Sequence, residues 1–294
     1  MNAIPQLSPL HFRKMQGCGN DFVVLDARTQ PLSVAGAPAR ALADRRFGIG
    51  CDSVIVMEKT DGADLRMRVI NADGSEAENC GNAARCVARL AAAETGRSRI
   101  RIRVVQGLLD CAVNADGSVS VDMGAPRLDW QEIPLAERMD TRRIDIKVGP
   151  IDAPVLHTPA AVSMGNPHCV FFVEDVTAHA IDRIGPMIEH HPLFPERTNV
   201  EFAQILSRTH IRLRVWERGV GITMACGTGA CATLVAAQRR GLVERRATIT
   251  LDGGDLEIEW READSHVIMT GPASESFHGI VDADLARLMQ GAAP

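Results

Sequence analysis

A cysteine at position 80 lies where a polar, turn-rich stretch meets an alanine-rich segment. The polar stretch begins at Asn71, and strong helix formers follow Cys80 as far as Gly96. Cys80 is therefore predicted to lie at or just before a helix N-terminus, where backbone N–H groups and the helix dipole favour negative charge. This position is expected to lower the pKa of the thiol and to offer a binding site for a carboxylate.

The same arrangement occurs a second time around Cys226, which follows Cys80 by 146 residues. Asn71 precedes Cys80 by nine residues, and Glu217 precedes Cys226 by nine residues. A second helical run follows Cys226 and ends at Gly241. The equivalent placement, and the glycine after each, distinguish these two cysteines from the others in the chain.

The offset of 146 residues also relates other parts of the chain. It pairs Gly19-Asn20 with Gly165-Asn166, Val24 with Val170, Ser53 with Asn199, Ala84 with Ala230, and Gly107 with Gly253. The sequence therefore predicts two structural repeats, each supplying one thiol. We assign the first repeat to residues 1–125 together with 272–294, and the second to residues 126–271. The active site is expected between them, because both cysteine helices must point inward to meet.

The composition is that of an ordinary globular protein, with 294 residues, 46% of them hydrophobic and 23% charged. A net charge of −5 with dispersed signs argues against a nucleic-acid-binding surface. No apolar run approaches the roughly 18 residues of a membrane span, and the N-terminus lacks the apolar core of a secretory signal. We expect a cytoplasmic protein that binds neither nucleic acid nor membrane.

The eight cysteines are not expected to form a disulfide framework in a chain of this size. The spacings Cys80-x5-Cys86 and Cys226-x4-Cys231 lack the short pairs or histidine partners of a zinc site, so no metal site is predicted. The only lysines are Lys14, Lys59 and Lys147, and none lies in the cysteine motifs. A Schiff base with pyridoxal phosphate therefore has no candidate there, and no cofactor is expected.

Two thiols that face one carbon from opposite sides suit a racemase or an epimerase. One, as thiolate, removes the α-proton, while the other, as thiol, delivers a proton to the opposite face. The two helix N-termini would hold the α-carboxylate and stabilise the charge that develops on it. Such a reaction requires no cofactor.

Hydrophobic patterning predicts the elements that position these thiols. In the first repeat, strands are expected at 22–26, 54–57 and 65–70 and near 99–105, 108–113 and 118–123. In the second repeat, they are expected at 144–148, 169–173, 200–205, 211–216, 247–251, 255–260 and 266–270. Beside the two cysteine helices, helices are expected at 37–46 and 180–190. The segment after Gly271-Pro272 is expected to pack back on the first repeat.

Six ordered motifs make the sequence similar to the diaminopimelate epimerase family over essentially its full length. They are GCGNDFVV (17–24), FGIGCD (47–52), NADGSE…CGNAARC (71–86), GNPH (165–168), TNVEF (198–202) and ERG…ACGTGACA (217–232). The resemblance implies an α/β (α+β) fold of two pseudo-symmetric domains, each a strand-rich, barrel-like sheet around a central helix, usually in a homodimer. It also implies cofactor-independent interconversion of L,L- and meso-diaminopimelate in lysine and peptidoglycan-precursor synthesis.

The resemblance also implies roles for particular residues. Cys80 and Cys226 resemble the acid–base pair, and His168 and Glu217 resemble residues that belong to the catalytic centre with them. The substrate-binding residues implied are Asn20, Ser53, Asn71, Gly81, Asn82, Asn166, Asn199, Glu217, Arg218, Gly227 and Thr228. Gly81-Asn82 and Gly227-Thr228 resemble backbone donors to the α-carboxylate, and Glu217 with Arg218 resembles the pair that recognises the distal amino-acid head.

Four positions depart from the family pattern: Ser53 stands where a glutamine is usual, Ala83 where a glycine is usual, Ile222 where a glutamate is frequent, and Cys18 where a larger aliphatic residue is common. Ser53 leaves open a related cofactor-independent racemase with another substrate, such as a proline or histidine racemase. Phenazine-pathway isomerases share the fold but lack the thiol pair. A non-catalytic binding module would have no reason to keep a thiol in both repeats.

Overall fold

The computed structural model describes residues 9–77, 80–150 and 152–289. Residues 1–8, which belong to the N-terminal stretch expected to lack a secretory signal, and Glu78-Asn79 within the first cysteine motif lie outside these ranges. The described chain is a mixed α/β protein that divides into two compact units. Met1–Val119 with Pro272–Pro294 forms the first unit, and Ser120–Gly271 forms the second.

Strands predominate over helices. The strands are β1 (His11–Gly17), β2 (Asn20–Asp26), β3 (Ser53–Glu58), β4 (Leu65–Asn71), β5 (Glu76–Ala77), β6 (Arg99–Val104), β7 (Gly107–Val113), β8 (Val119–Asp122), β9 (Lys147–Val148), β10 (Leu156–His157), β11 (Ala160–Ser163), β12 (Pro167–Val173), β13 (Asn199–Ser207), β14 (His210–Glu217), β15 (Gly221–Ile222), β16 (Arg246–Leu251), β17 (Gly254–Trp260), β18 (Val267–Gly271) and β19 (Ser274–Ile280). The helices are α1 (Ala37–Ala43), α2 (Gly81–Thr95), α3 (Ile181–Glu189), α4 (Gly227–Arg239) and α5 (Ala283–Met289). Within the described ranges, no helix has the length and apolar character needed to cross a membrane.

In the first unit, a sheet surrounds a buried helix. Strand β1 pairs with both β19 and β2, β2 runs parallel to β3, and the sheet continues through β4, β6 and β7. Helix α2 contacts β1, β2, β4, β6 and β7 of this sheet. Its small residues, among them Ala83, Ala84 and Ala88, are fully buried and allow the strands to approach it closely. The helix ends at Gly96, which adopts the left-handed conformation that favours glycine.

The second unit repeats this order of elements. Strand β11 pairs with β12, β12 runs parallel to β13, and the sheet continues through β14, β16, β17 and β18. Helix α4 contacts β11, β12, β13, β16, β17 and β18. In both units the strand register agrees with the 146-residue offset, since Phe22 pairs with Ser53 and His168 pairs with Asn199.

The offset changes to 147 residues after the central helices. Val104 pairs with Gly107 across the first hairpin, and Leu251 pairs with Gly254 across the second. Gly107 and Gly254 share a φ of 136° and 137°, a conformation that only glycine adopts readily. The expected equivalence of Gly107 with Gly253 is therefore wrong by one residue, because the second repeat has one more residue between its cysteine and its hairpin.

Two other elements are shorter than expected. Helix α1 ends at Ala43, because the Asp44 side chain accepts hydrogen bonds from the backbone N–H groups of Arg46 and Phe47 and holds the chain in a turn. The strand expected at 144–148 is limited to β9, which pairs only with the equally short β10. The expected return of the C-terminal segment is confirmed, since β19 pairs with β1.

Candidate functional site: two thiols at helix N-termini

Cys80 is the N-cap of α2, with extended backbone angles, and its side chain is half-buried. Its Sγ donates to Asn20 Oδ1 at 3.8 Å, and Asn82 Nδ2 donates to the same oxygen at 3.2 Å. Gly81 and Asn82 form the start of the first turn, ahead of the first intrahelical bond from Ala84 N–H to Cys80 O. The first unit thus brings together four of the predicted site residues.

A carboxylate fixes the orientation of the Asn20 amide. Asn20 Nδ2 donates to Asp52 Oδ2 at 2.8 Å, and a carboxylate oxygen can only accept, so Oδ1 is the end that faces Cys80. Asp52 is itself held by Arg45, which also binds Asp21. Burial raises the pKa of Asp21, but hydrogen bonds from Arg45 and Lys14 outweigh it and lower that pKa to about 2.

Cys226 occupies the equivalent N-cap of α4, but its side chain is fully buried. Gly229 N–H donates to its sulfur at 3.4 Å, and the Thr228 hydroxyl oxygen lies 3.5 Å from the sulfur. Thr228 Oγ1 in turn accepts from Asn166 Nδ2 at 3.3 Å. The Thr228 hydroxyl therefore links Asn166 to the second thiol, and Gly227 follows that thiol as the first residue of α4.

His168 and Glu201 lie behind Asn166 and are fully buried. The Nε2 atom of His168 lies 3.0 Å from Asn166 Oδ1, and its Nδ1 atom lies 2.6 Å from Glu201 Oε1. A continuous hydrogen-bond chain therefore runs from Glu201 through His168, Asn166 and Thr228 to Cys226.

The pKa of Cys226 differs from the expectation for a thiol at a helix N-terminus. Burial raises it well above its ordinary value, and the acidic side chains of Glu217 and Glu201 nearby add to this effect. The hydrogen bonds from Thr228 and Gly229 act in the opposite direction. The lowered pKa expected from the helix terminus is wrong for this thiol, because removal from water outweighs the dipole.

The remaining predicted residues lie on the strands that lead to these helices. Ser53 is buried on β3 opposite Asn71, whose Nδ2 donates to Ser75 Oγ at 3.1 Å. Asn199 is buried on β13, where its Nδ2 donates to Pro167 O and its Oδ1 accepts from Arg218 N–H, both at 2.9 Å.

The predicted distal pair ends β14. Glu217 accepts a hydrogen bond from the Thr223 hydroxyl, and the half-buried guanidinium of Arg218 donates to Glu196 O at 3.0 Å. Glu217 is thus hydrogen-bonded at the end of the strand by Thr223, and the Arg218 guanidinium is hydrogen-bonded to the Glu196 carbonyl.

Two residues beside the thiol sites were given no role from sequence: Asp52 and Glu201. Asp52 is one of two acidic residues that bind the same arginine, and Glu201 is a lone carboxylate in the apolar run from Val200 to Phe202. A buried carboxylate needs a hydrogen-bonding or charged partner, so an acidic residue between the apolar Val200 and Phe202 indicates a buried polar contact at Glu201.

The described residues contain one grouping of side chains spaced to hold a metal ion, formed by Asp122, Asp264 and His266. Arg261 already binds both carboxylates, at 2.7 and 2.6 Å. A guanidinium in contact with both acids supplies the positive charge that a cation would supply. The grouping lies outside all six motifs, and it is accounted for as an ion-pair cluster.

The family model described as diaminopimelate epimerase matches residues 12–128 and 160–275. The diaminopimelate epimerase of Rhodospirillum centenum is 56% identical over 270 residues, covering 91% of each chain. That of Acidiphilium cryptum is 55% identical over 272 residues, covering 92% of this chain and 96% of the relative.

Among solved structures, a hydroxyproline epimerase from Agrobacterium vitis matches with a TM-score of 0.69 at 14% identity, covering 96% of this chain and 94% of that one. A phenazine biosynthesis protein from Bacillus anthracis matches with a TM-score of 0.65 at 13% identity, covering 94% and 100%. At such low identity these two share only the fold. The sequence matches carry the assignment further, since they span both thiol motifs and reach more than half identity: this chain belongs to the diaminopimelate epimerase family.

Proposed function

We propose that this protein interconverts L,L- and meso-diaminopimelate without a cofactor, in lysine and peptidoglycan-precursor synthesis. The observation that carries the proposal is the equivalent placement of Cys80 and Cys226, each the N-cap of a buried helix. Cys80 contacts the Asn20 amide directly, and Cys226 is linked to the Asn166 amide through Thr228. A protein that only bound its ligand would need neither thiol.

In the proposed reaction, one cysteine as thiolate takes the α-proton and becomes a thiol. The Cα–H electron pair stays on the substrate and is delocalised toward the α-carboxylate. The other cysteine, as thiol, gives its proton to the opposite face of the α-carbon and becomes a thiolate. Either cysteine serves as the base, depending on which stereoisomer binds.

The first turns of α2 and α4 are the proposed binding sites for the α-carboxylate. Gly81-Asn82 and Gly227-Thr228 are the first residues of these helices, where N–H groups and the dipole favour an anion. Asn20, Asn71, Asn166, Asn199 and Ser53 are proposed to contact the substrate amino acid. Glu217 and Arg218 are proposed to bind the distal head, whose ammonium and carboxylate they complement.

Exchange of the α-proton in deuterated water, measured by mass spectrometry over a panel of amino acids, tests this function. Diaminopimelate should exchange and epimerise without added cofactor, and Cys226→Ala should abolish both. Proline, histidine and lysine serve as controls and should remain unexchanged.

A second candidate is a racemase for another amino acid, which is favoured by Ser53 in place of the usual glutamine. Exchange of proline or histidine in the same panel, with diaminopimelate unaffected, would establish that alternative. We further propose a homodimer that works in the cytoplasm, which sedimentation analysis and cell fractionation would check.

A further inference from the structure

The hydrogen-bond chain behind Cys226 has a direction. Asn166 presents Oδ1 to His168 and Nδ2 to Thr228, so His168 Nε2 must carry a proton to donate to Asn166. Thr228 Oγ1 accepts from Asn166, and its own hydrogen can be donated to Cys226 Sγ, which lies 3.5 Å away and needs a donor when it is a thiolate. Every donor along the chain therefore points toward the sulfur, and the sulfur acts as acceptor.

This direction requires two protons on the Glu201–His168 pair. If the pair held one proton, Glu201 would be a carboxylate that takes it through Nδ1, and Nε2 would be a bare acceptor. With two protons, the pair is neutral overall. Burial supports this state, because both side chains have no exposure and burial raises the pKa of Glu201. Among the described residues, Glu201 Oε2 has no hydrogen-bond partner, which a full negative charge would make costly.

We infer that Glu201 is a positioning residue, which through His168, Asn166 and Thr228 directs a hydroxyl donor at Cys226 and so stabilises its thiolate. The inference deepens the proposed function, because it names the group that makes the second thiol usable as a base. Glu201 itself is two side chains removed from Thr228 and does not reach the sulfur through this chain.

The first unit lacks this arrangement. Phe22 and Ile55 occupy the positions equivalent to His168 and Glu201, and both are fully buried. Asp52 orients Asn20 instead, so the carbonyl end faces Cys80 and accepts from its S–H. The two asparagines are identical in type and position, yet they present opposite ends of the amide to their thiols. Of these two amides, Asn166 is the one that directs a donor, through Thr228, toward its thiol.

The titratable groups beside Cys226 are Glu201 on β13, Glu217 at the end of β14 and, through the chain, His168 on β12. Glu201 could act on the Cys226 thiolate as a nearby negative charge or as a positioning residue, and its removal would change the ease of thiolate formation in opposite directions in the two cases. If Glu201 acted only as a nearby negative charge, its removal would make the thiolate easier to form. If it positions the donor, its removal makes the thiolate harder to form.

The test is the rate of alkylation of Cys226 by iodoacetamide over a pH series, resolved by peptide mass spectrometry. At pH values where the thiol is mostly protonated, Glu201→Leu should slow alkylation about tenfold, since a hydrogen bond to a charged group is worth about one pKa unit. Thr228→Val should slow it equally, and the double variant should be no slower than either single one. Cys80, whose asparagine is held by Asp52, is the internal control and should be unaffected.

An unchanged or faster alkylation of Cys226 in Glu201→Leu would overturn the inference, as would additive effects in the double variant. Nitrogen-15 spectra of wild-type protein labelled at histidine test it without any variant that risks misfolding. His168, assigned by loss of its signal in His168→Gln, should carry a proton on Nε2, and a bare Nε2 would overturn the inference.

None of these measurements uses a substrate. If diaminopimelate fails to exchange while the alkylation results hold, the proposed function is wrong and the role of Glu201 stands. In the epimerase assay, Glu201→Leu should lower kcat and leave KM nearly unchanged, because Glu201 does not contact the substrate.

Discussion

At the scale of single residues, the second thiol illustrates how burial and hydrogen bonding oppose each other. Burial raises the pKa of Cys226, which makes its thiolate scarce but also a stronger base. The donors from Thr228 and Gly229 recover part of the lost stability of the anion. Removal of a weakly acidic α-proton needs a strongly basic thiolate, and it also needs a sufficient fraction of the cysteine to be present as thiolate.

Replacing either cysteine should remove epimerisation. Cys80→Ala and Cys226→Ala should each lower kcat on diaminopimelate by about a hundredfold to ten-thousandfold, because general acid–base groups contribute roughly 10²–10⁴-fold. The matched control is Cys111→Ala on β7, a buried cysteine outside the motifs, which should remain active. Substantial epimerisation by either single variant would contradict the two-thiol mechanism.

Arg218→Met should raise KM for diaminopimelate about tenfold or more, since a charged hydrogen bond to the distal carboxylate is lost. The arginine is half-buried and its recorded contact is with one carbonyl, so folding should be little affected. Arg208→Met, at an exposed arginine on the turn before β14, is the control for steady-state kinetics. An unchanged KM in Arg218→Met would mean that the guanidinium does not bind substrate.

Asp21→Asn should destabilise the protein at neutral pH by about 2 kcal/mol, as the lowered pKa of about 2 against 3.8 implies. A depressed carboxyl pKa contributes stability above pH 3.8, and that contribution is lost as the pH falls toward 2. The gap in unfolding free energy between wild type and variant should therefore narrow over this range in urea titrations. Asp145→Asn, at an exposed aspartate, should show no such gap.

The sequence predicted the thiols and their neighbouring amides, but not the residues that orient those amides. Cys80 and Asn82 belong to one motif, so their proximity follows from local helix geometry. Asp52 and Glu201 reach their asparagines only through the pairing of parallel strands, β2 with β3 and β12 with β13. Which carboxylate meets which amide depends on strand register, which a single sequence does not specify.

At the scale of elements, the first turn of α4 differs from that of α2 at one informative position. A Cβ atom at Gly229 would lie 2.9 Å from Glu201 Oε1 and 3.3 Å from Cys226 Sγ. Ala83 holds the equivalent place in α2, where an isoleucine replaces the glutamate. The glycine thus leaves room for Glu201 beneath the second thiol.

Gly229→Ala should leave stability within about 1 kcal/mol of wild type, because the better helix propensity of alanine offsets the crowding. It should nevertheless lower kcat several-fold, since the carboxyl of Glu201 must shift away from His168. The matched control is Ala83→Gly, which should cost about 1 kcal/mol in thermal unfolding and keep most activity. Equal effects on kcat at the two positions would contradict this explanation.

The helices that carry the thiols were also the easiest elements to predict. Their alanine-rich sequences and terminal glycines are strong local signals, and α2 ends where Gly96 predicts. The predicted lengths of α1 and β9 were too great. The Asp44 side chain ends α1 in a turn, and β9 is short because its partner strand β10 is short. The turn at Asp44 is a local signal, whereas the length of β9 depends on a partner strand that the local sequence does not specify.

At the scale of the whole molecule, the first unit is built from both ends of the chain. Strand β19 pairs along β1, and the Pro272 carbonyl accepts from Nε of Arg85, a fully buried arginine on α2. Without these residues, β1 would lose one of its two neighbours and Arg85 would lose this acceptor.

Truncation after Gly271 should therefore unfold the first unit selectively. In hydrogen–deuterium exchange, peptides from β1 and α2 should lose protection, while those from α4 in the second unit should keep it. His278→Ala, at an exposed residue of β19, is the control and should retain full protection. Retained protection of α2 in the truncated chain would contradict the structural role of the C-terminal segment.

The return of β19 to β1 also bears on the order in which the chain folds as it leaves the ribosome. The 152 residues of the second unit are all synthesised between Val119 and Pro272. Strand β19 follows β1 by about 263 residues, so at roughly 5–20 residues per second β1 waits about 13 to 53 s for its partner strand. The second unit, contiguous in sequence, is complete before the first, so the N-terminal half of this protein is the last to close its sheet.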